Sequence, residues 1–466
     1  MRRLLPCPRL LPVAILVAGL AVAGPGARAQ TLTDAMVAAY NRNPGLLAAR
    51  AGLRATDEQV SQAAAGWRPT VIATGSYGLN NTGTRQSVPE GSGAPATSNL
   101  YVQPSNGSLT LSQPVFQGGR TVARTRQAEN QVKAGRARLL GTEQQVLLDT
   151  AIAYVAAVRD RELLRLAVTY AEVLDRQRGA TSRRLSAGEV TRTDVAQADT
   201  RLFNARATAA QARGAVDSSD AAFTRVTGLR PDRLTSPQPI SVPVATPESA
   251  ALLAQSDNPA VVAALFDEAA ARDTVDVQFA SLLPQLSLDG QVYRNTDSTA
   301  RGLRINGQSL TATLSVPLYQ GGAEYSAVRQ ARQQSVQARH VLDDQARLSV
   351  QQAVSAWRNV AALRLQADQT RGAIRAAEYA LDGVQREAVI GSRTTYDVLN
   401  AELELLTSRQ ALVQTVASLV ENSYLLAAAV GRLTARDLAL PVTFYDWNVH
   451  HRDVKGRWIG LGSGGE

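Results

Sequence analysis

Two hydrophobic periods divide the chain. Between residues 119 and 187, and again between 322 and 390, Ala, Leu and Val recur at three- and four-residue spacing. Leu147, Ala151, Tyr154, Val155 and Val158 show it in the first stretch, and Val350, Val354, Trp357 and Ala361 in the second. This spacing lays one apolar stripe along a helix. Neither stretch contains proline, so each predicts one unbroken helix of roughly 68 residues, a rod of about 100 Å. A rod of that length calls for coiled-coil packing, and the many alanines let neighbours approach closely.

Upstream of each rod the period changes to two. Leu286, Leu288, Gly290 and Val292 alternate with Ser287, Asp289, Gln291 and Tyr293. Leu310, Ala312, Leu314 and Val316 alternate with Ser309, Thr311, Thr313 and Ser315. Leu109 and Leu111 alternate with Ser108, Thr110 and Ser112, while Val71, Ala73, Tyr77 and Leu79 share one parity. Half-buried strands are predicted at about 70–82, 99–113, 285–296 and 303–316. A tilted strand of roughly 9–11 residues crosses a bilayer. The Gly-, Ser-, Thr- and Pro-rich segments 83–98 and 297–302 read as hairpin loops, and Pro104 weakens its strand. Helical stretches precede the strands, at 33–66 and 247–283. Last helices follow the rods, reached through turns at Gly188 and Gly391 and running to Gly228 and Gly431.

This order is written twice. Thr110 to Gly119 (TLSQPVFQGG) recurs as Thr313 to Gly322 (TLSVPLYQGG), an offset of 203 (313 minus 110). The strand–helix junctions Pro114, Gly118 and Gly119 therefore match Pro317, Gly321 and Gly322. Gly188 and Asp194-Val195 match Gly391 and Asp397-Val398 at the same offset. Asn43-Pro44 matches Asn258-Pro259, and Pro69 matches Pro284, at 215 (258 minus 43), so the length change falls between Pro69 and Pro114, the mark of an exposed loop. The organisation is read as a leader over 1–29, a first repeat over 30–240, a second over 241–440 and a C-terminal tail over 441–466.

The leader reading rests on Arg2, Arg3 and Arg9, the apolar run 10–22 and the small-x-small site Ala27-Arg28-Ala29. The run is short for a membrane-spanning helix, which needs roughly 20 residues. Cleavage after Ala29 would lower the net charge from +9 to +5 and remove Cys7, the one cysteine. No cysteine then remains for a lipid anchor, a disulfide or a thiolate metal site. The mild positive excess lacks a concentrated patch with interleaved aromatics, so nucleic acid is not an expected partner.

Chemistry is sparse. Asp343-Asp344 and the pair Glu402 and Glu404 lie on predicted helices without a nucleophile beside them. His450 and His451 are adjacent, so they are expected to point apart rather than share a ligand. The glycine-rich end from Gly460 to Gly464 has no helix after it to receive a phosphate. No enzyme, cofactor or metal is expected. One hairpin per repeat gives four strands, which cannot close a barrel, since the smallest membrane barrels have about eight. An open edge in lipid leaves backbone groups unpaired at several kcal/mol each. Several chains must share one barrel, with the polar helices extending away from the membrane. A coiled-coil envelope or surface protein without a pore stays open as the alternative.

The paired Pro-x-x-Gln-Gly-Gly junctions, the Gly188 and Gly391 turns and the run from Gly391 to Asn400 (GSRTTYDVLN) resemble the TolC family of outer-membrane efflux and secretion channels. The resemblance covers nearly all of 31–440 and implies a mainly α fold with a small β part. It implies a homotrimer with a shared 12-stranded barrel in the outer membrane of a Gram-negative bacterium and an α-helical barrel in the periplasm. It further implies a periplasmic adaptor docking at the Gly188 and Gly391 turns, and an ABC or proton-driven exporter in the inner membrane that supplies the energy. By the same resemblance Asp397 lines the pore constriction, with Asn400 standing uncharged where the family's pattern has a second aspartate. Asp194 and Arg393 match a link that holds the closed state, and Ala388 stands where that network has a tyrosine. Read from the residues alone, Asp194 and Asp397 are equally helix caps, and Arg393 a surface charge.

Overall fold

The computed structural model describes residues 30–86 and 96–462. The leader and Cys7, the middle of the first hairpin loop and the last four residues of the tail lie outside the described residues.

Helices α1 (Leu32–Arg42) and α2 (Pro44–Ala64) come first. Strands β1 (Thr70–Tyr77), β2 (Asn80–Gln86), β3 (Ala96–Val102) and β4 (Ser105–Gln117) follow, then the rod α3 (Arg120–Ser186) and α4 (Arg192–Thr227). The second half runs α5 (Pro247–Asp257), α6 (Pro259–Phe279), β5 (Gln285–Thr296), β6 (Arg304–Ser315), α7 (Ala323–Val389), α8 (Thr395–Ala429) and a tail helix α9 (Trp447–Lys455). Both rods are 67 residues long. Among the described residues no helix is long and apolar enough to cross a membrane.

The helical stretch at 33–66 divides into two helices, and so does the one at 247–283. The reason is local. Proline at N1 ends the preceding helix and starts the next, and the asparagine before it caps the new one. Asn43 Oδ1 accepts from the Gly45 amide at 2.9 Å, and Asn258 Oδ1 from the Ala260 amide at 2.9 Å. The other half of each amide closes a second joint. Asn43 Nδ2 donates to the Val226 carbonyl near the end of α4, and Asn258 Nδ2 to the Ala429 carbonyl at the end of α8, both at 3.0 Å. Thus α2 stacks end to end on α4, and α6 on α8, each pair running beside a rod.

The main sheet is antiparallel with order β1-β4-β5-β6. Its register places Val71, Leu111, Gly290 and Leu310 in one row across the sheet, and Ala73, Leu109 and Val292 in the next such row. That face is apolar and exposed. The opposite face carries Thr74, Ser108, Gln291 and Ser309. Strands β1 and β6 are the sheet's two outer strands.

The first hairpin departs from expectation. It is not two continuous strands, because the chain breaks at Gly78-Leu79 and Gln103-Pro104. Proline has no amide to donate, and the ladder is reduced there to the Gly78 amide donating to the Pro104 carbonyl at 3.0 Å. Beyond the break β2 and β3 pair as a separate ribbon from Asn80↔Val102 to Gln86↔Ala96. Residues 83–86 and 96–98, read above as loop, are strand.

Both strand–helix junctions turn on paired left-handed glycines. Gly118 and Gly119 have φ of 60° and 83°, and Gly321 and Gly322 of 71° and 83°. Pro114 lies within β4 next to a register shift, while Pro317 lies between β6 and α7. The two junctions are not equally crowded. A Cβ at Gly118 would stand 2.7 Å from Leu283 Cβ and 2.8 Å from the Ala280 carbonyl oxygen, whereas one at Gly322 meets nothing within 4 Å.

The core sits where α1, α3, α4, α8 and the tail converge. At its centre Tyr154 is fully buried, and its hydroxyl lies 2.7 Å from the Gln30 carbonyl and 2.8 Å from that of Thr235. The tail runs along α2. His450 and His451 do not point apart: their Nδ1 atoms lie 3.4 and 3.2 Å from the two oxygens of buried Asp57. One carboxylate between two helices can be reached from successive positions.

Two substitutions separate backbone strain from crowding. Gly322→Ala should cost about 1–2 kcal/mol through its left-handed φ alone. Gly118→Ala adds a clash with Leu283 and should lower the thermal midpoint of the folded protein further. Equal midpoints for the two variants would show that the α6–β5 connection does not press on Gly118.

Candidate functional site

The turns at the far ends of the rods are built alike. In the first, Gly188 (φ 78°) follows the last turn of α3, with its amide on the Leu185 carbonyl at 3.0 Å and the Glu189 amide on that of Arg184 at 2.9 Å. In the second, Gly391 (φ 81°) follows α7, its amide reaches the Ala388 carbonyl at 3.3 Å, and the Ser392 amide that of Glu387 at 3.0 Å. Left-handed glycine closure of this kind satisfies carbonyls that a helix end leaves free. The next helix then starts with a threonine cap. Thr191 and Asp194 form a reciprocal box at the head of α4, and Thr394 and Asp397 one at the head of α8.

This geometry places the aspartates. Asp194 Oδ2 accepts from the Thr191 amide at 2.8 Å, and Asp397 Oδ2 from the Thr394 amide at 3.0 Å. Each also accepts from its threonine hydroxyl at 2.8 Å. These backbone bonds first, and the hydroxyl bonds second, hold both carboxyls below the usual carboxylate range. Both residues are therefore caps that stay ionised at neutral pH. Arg393 bonds Glu387, Nε to Oε2 at 2.8 Å, which raises its already high value. The expected Asp194–Arg393 link is thus not made within one chain, since each partner is engaged inside its own turn.

Asn400 takes part in a contact between the two repeats. Its Oδ1 accepts from Arg201 Nη2 of α4 at 2.8 Å. The Arg201 guanidinium stands 5.7 Å from the Tyr396 ring centroid, a cation–π distance. Beneath it Leu399 packs with Leu174 of α3 and with Leu202 and Ala205 of α4, flanked by Tyr170. Burial pushes the Tyr170 phenol up, and Arg201 opposes this. Arg201 therefore ties the head of α8 to α4 across the two repeats. The chain order gives no sign of this contact, because it depends on the register between two helices far apart in sequence.

Two residues beyond Asn400 on α8 stands Glu402. Burial raises its carboxyl above the usual range, against the opposing charge of Arg176. Its Oε2 is buried and lacks a hydrogen-bond partner among the described residues.

The sequence profile of the outer membrane efflux proteins matches residues 35–229 and 251–432. The chain belongs to this family. It is 34% identical to the outer membrane efflux protein BepC of Brucella suis, over 98% of this chain and 97% of the relative. Identity to the outer membrane protein TolC of Vibrio cholerae is 26%, over 92% of this chain and 97% of that one. Among solved structures, the Campylobacter jejuni CmeC outer membrane channel superposes with a TM-score of 0.75 at 16% identity, covering 91% of this chain and 89% of that one. The protein is thus an outer membrane efflux protein that reaches into the periplasm, with a mainly α fold and a small β part. Family membership sets aside the coiled-coil surface protein without a pore.

The tip contacts make two predictions. Arg201→Ala should speed amide hydrogen exchange over residues 395–405, because α8 loses its tie to α4. Glu402→Gln should slow it at neutral pH. Below the ordinary glutamate range, about pH 4, the carboxyl is neutral in folded and unfolded chains, and the wild type keeps its full stability. As pH rises through the raised folded value, an ionised group must be held in a buried place and stability falls. The Gln effect should therefore vanish at about pH 4. An effect independent of pH would remove Glu402 as its cause.

Proposed function

We propose that three copies of this chain close one twelve-stranded barrel, four strands from each, above a helical conduit that is a passive path for cargo. One observation carries this reading: a sheet with an apolar face, a polar face and two outer strands. In lipid the outer strands must pair, and the polar face then lines water. Because β1 and β6 run antiparallel to each other through the order β1-β4-β5-β6, a neighbour's β6 can continue the ladder on β1.

In this reading the rod ends form the periplasmic entrance. Asp397, kept ionised by its cap, repeats around the threefold axis and attracts cations to the constriction. The Arg201–Asn400 contact is the tie inside each subunit that holds the tips together, the role expected above for Asp194 and Arg393. A periplasmic adaptor meets the turns at Gly188 and Gly391 and favours the dilated arrangement. An ABC or proton-driven pump in the inner membrane supplies energy and chooses the cargo. The conduit itself performs no chemistry.

Planar-bilayer recording tests the reading. Wild-type channels should prefer cations, and Asp397→Ala should shift the reversal potential in a KCl gradient toward zero and weaken block by divalent ions. Arg201→Ala should raise single-channel conductance. An unchanged reversal potential would return Asp397 to a purely structural cap, and unchanged conductance would remove Arg201 from the gate.

A further inference from the structure

The tail follows α2 in register toward the sheet. The Tyr445 amide donates to the Tyr40 hydroxyl at 3.1 Å, just before α2 begins. His450 and His451 hold Asp57, which is only 1% exposed, in the middle of α2. Lys455 Nζ reaches Glu129 Oε1 of α3 at 3.1 Å. Arg68 then donates through Nη1 to the Arg457 carbonyl at 2.7 Å, and its guanidinium stands 5.1 Å from the Trp458 ring centroid. Rising numbers in the tail thus match rising numbers in α2, and the tail arrives two residues before β1 begins at Thr70.

What it delivers there is apolar and uncovered. Trp458 is 67% exposed and Ile459 92%, and Leu461 is fully exposed. Trp67, at the base of β1, is also exposed. A soluble chain end has no reason to be pinned at four places only to present Trp, Ile and Leu to water. Tryptophan gathers at the boundary between hydrocarbon and headgroups, and arginine extends beside it toward phosphate. This site lies at the rim from which the apolar sheet face begins, and Arg68 and Arg457 supply charge opposite to that of phospholipid headgroups.

We propose that residues 457–461 are an interfacial anchor that inserts Trp458, Ile459 and Leu461 among the phospholipids of the periplasmic leaflet. The anchor rests on the reading that the sheet spans the outer membrane. A single short apolar segment binds a bilayer weakly and reversibly; here the barrel already holds the chain, and the tail fixes its depth and tilt.

Spin labels on the full-length protein in phosphatidylglycerol–phosphatidylethanolamine vesicles test this. In a Cys7→Ser background, labels go singly on Ile459→Cys, on Leu310→Cys in the apolar sheet face, and on Ile390→Cys at the rod tip. Collisions with oxygen and with a water-soluble nickel complex are compared. The Leu310 label should favour oxygen strongly and the Ile390 label should favour nickel. The Ile459 label should favour oxygen several-fold over the Ile390 label, at a shallower depth than Leu310. If Leu310 is in lipid while Ile459 favours nickel, the tail lies in water and the anchor is wrong. If Ile459 is closed to both reagents, the tail is covered by a neighbouring subunit and the anchor is equally wrong. A Leu310 label that favours nickel would overturn the membrane-spanning sheet as well.

Discussion

Backbone amides and carbonyls cannot be left unpaired in hydrocarbon. That constraint organises this molecule more than any side-chain contact. Four strands leave two outer edges, and each unpaired group in lipid costs several kcal/mol. Side chains could not offset this, because the apolar face of Val71, Leu111, Leu310 and their neighbours is already suited to lipid and gains little by moving. Closure with other chains satisfies the edges, and it also produces the pore. The same act that removes the edges encloses the polar face around water.

The helices obey a different economy of contact. The rods are alanine-rich, so they are held by many small contacts along their length instead of one large core. Their neighbours are therefore made of two stacked pieces, joined where Asn43 and Asn258 cap one helix and bond the end of another. The larger apolar cluster lies at these joints, around Tyr154 and Phe223. Far from it the packing thins to Leu174, Leu202, Ala205 and Leu399. Local opening takes least energy where buried apolar contacts are fewest, which places the movable part of the molecule at the turns, beside Arg201 and Glu402.

The period of the hydrophobic pattern made the rods and the second hairpin legible almost to the residue. Gly118, Gly119, Gly321 and Gly322 were legible because only glycine adopts their left-handed backbone easily. The capping role of Asp194 and Asp397 was also present in the sequence, as a threonine three residues before each. The broken first hairpin was only half visible: Pro104 marked a weak strand, yet nothing local showed that pairing resumes beyond it. The helix breaks at Asn43-Pro44 and Asn258-Pro259 are written in plain capping chemistry, a proline at the first helical position behind a capping asparagine. The contacts of Arg201 with Asn400, and of Asp57 with both histidines, were not legible, because they are set by how distant helices and the tail come to lie side by side.

Subunit closure through β1 and β6 is the claim on which the rest stands. Within one chain these strands are separated by β4 and β5, three ladder spacings or about 14 Å, too far for a disulfide between them. Thr74→Cys in β1 can therefore be combined in turn with cysteines at Ser309, Thr311 and Thr313 on the same polar face of β6, and oxidised in native membranes. Closure predicts covalent dimers and a closed covalent trimer for at least one pairing, with weaker yield at its neighbours. Monomers alone at every pairing would contradict it.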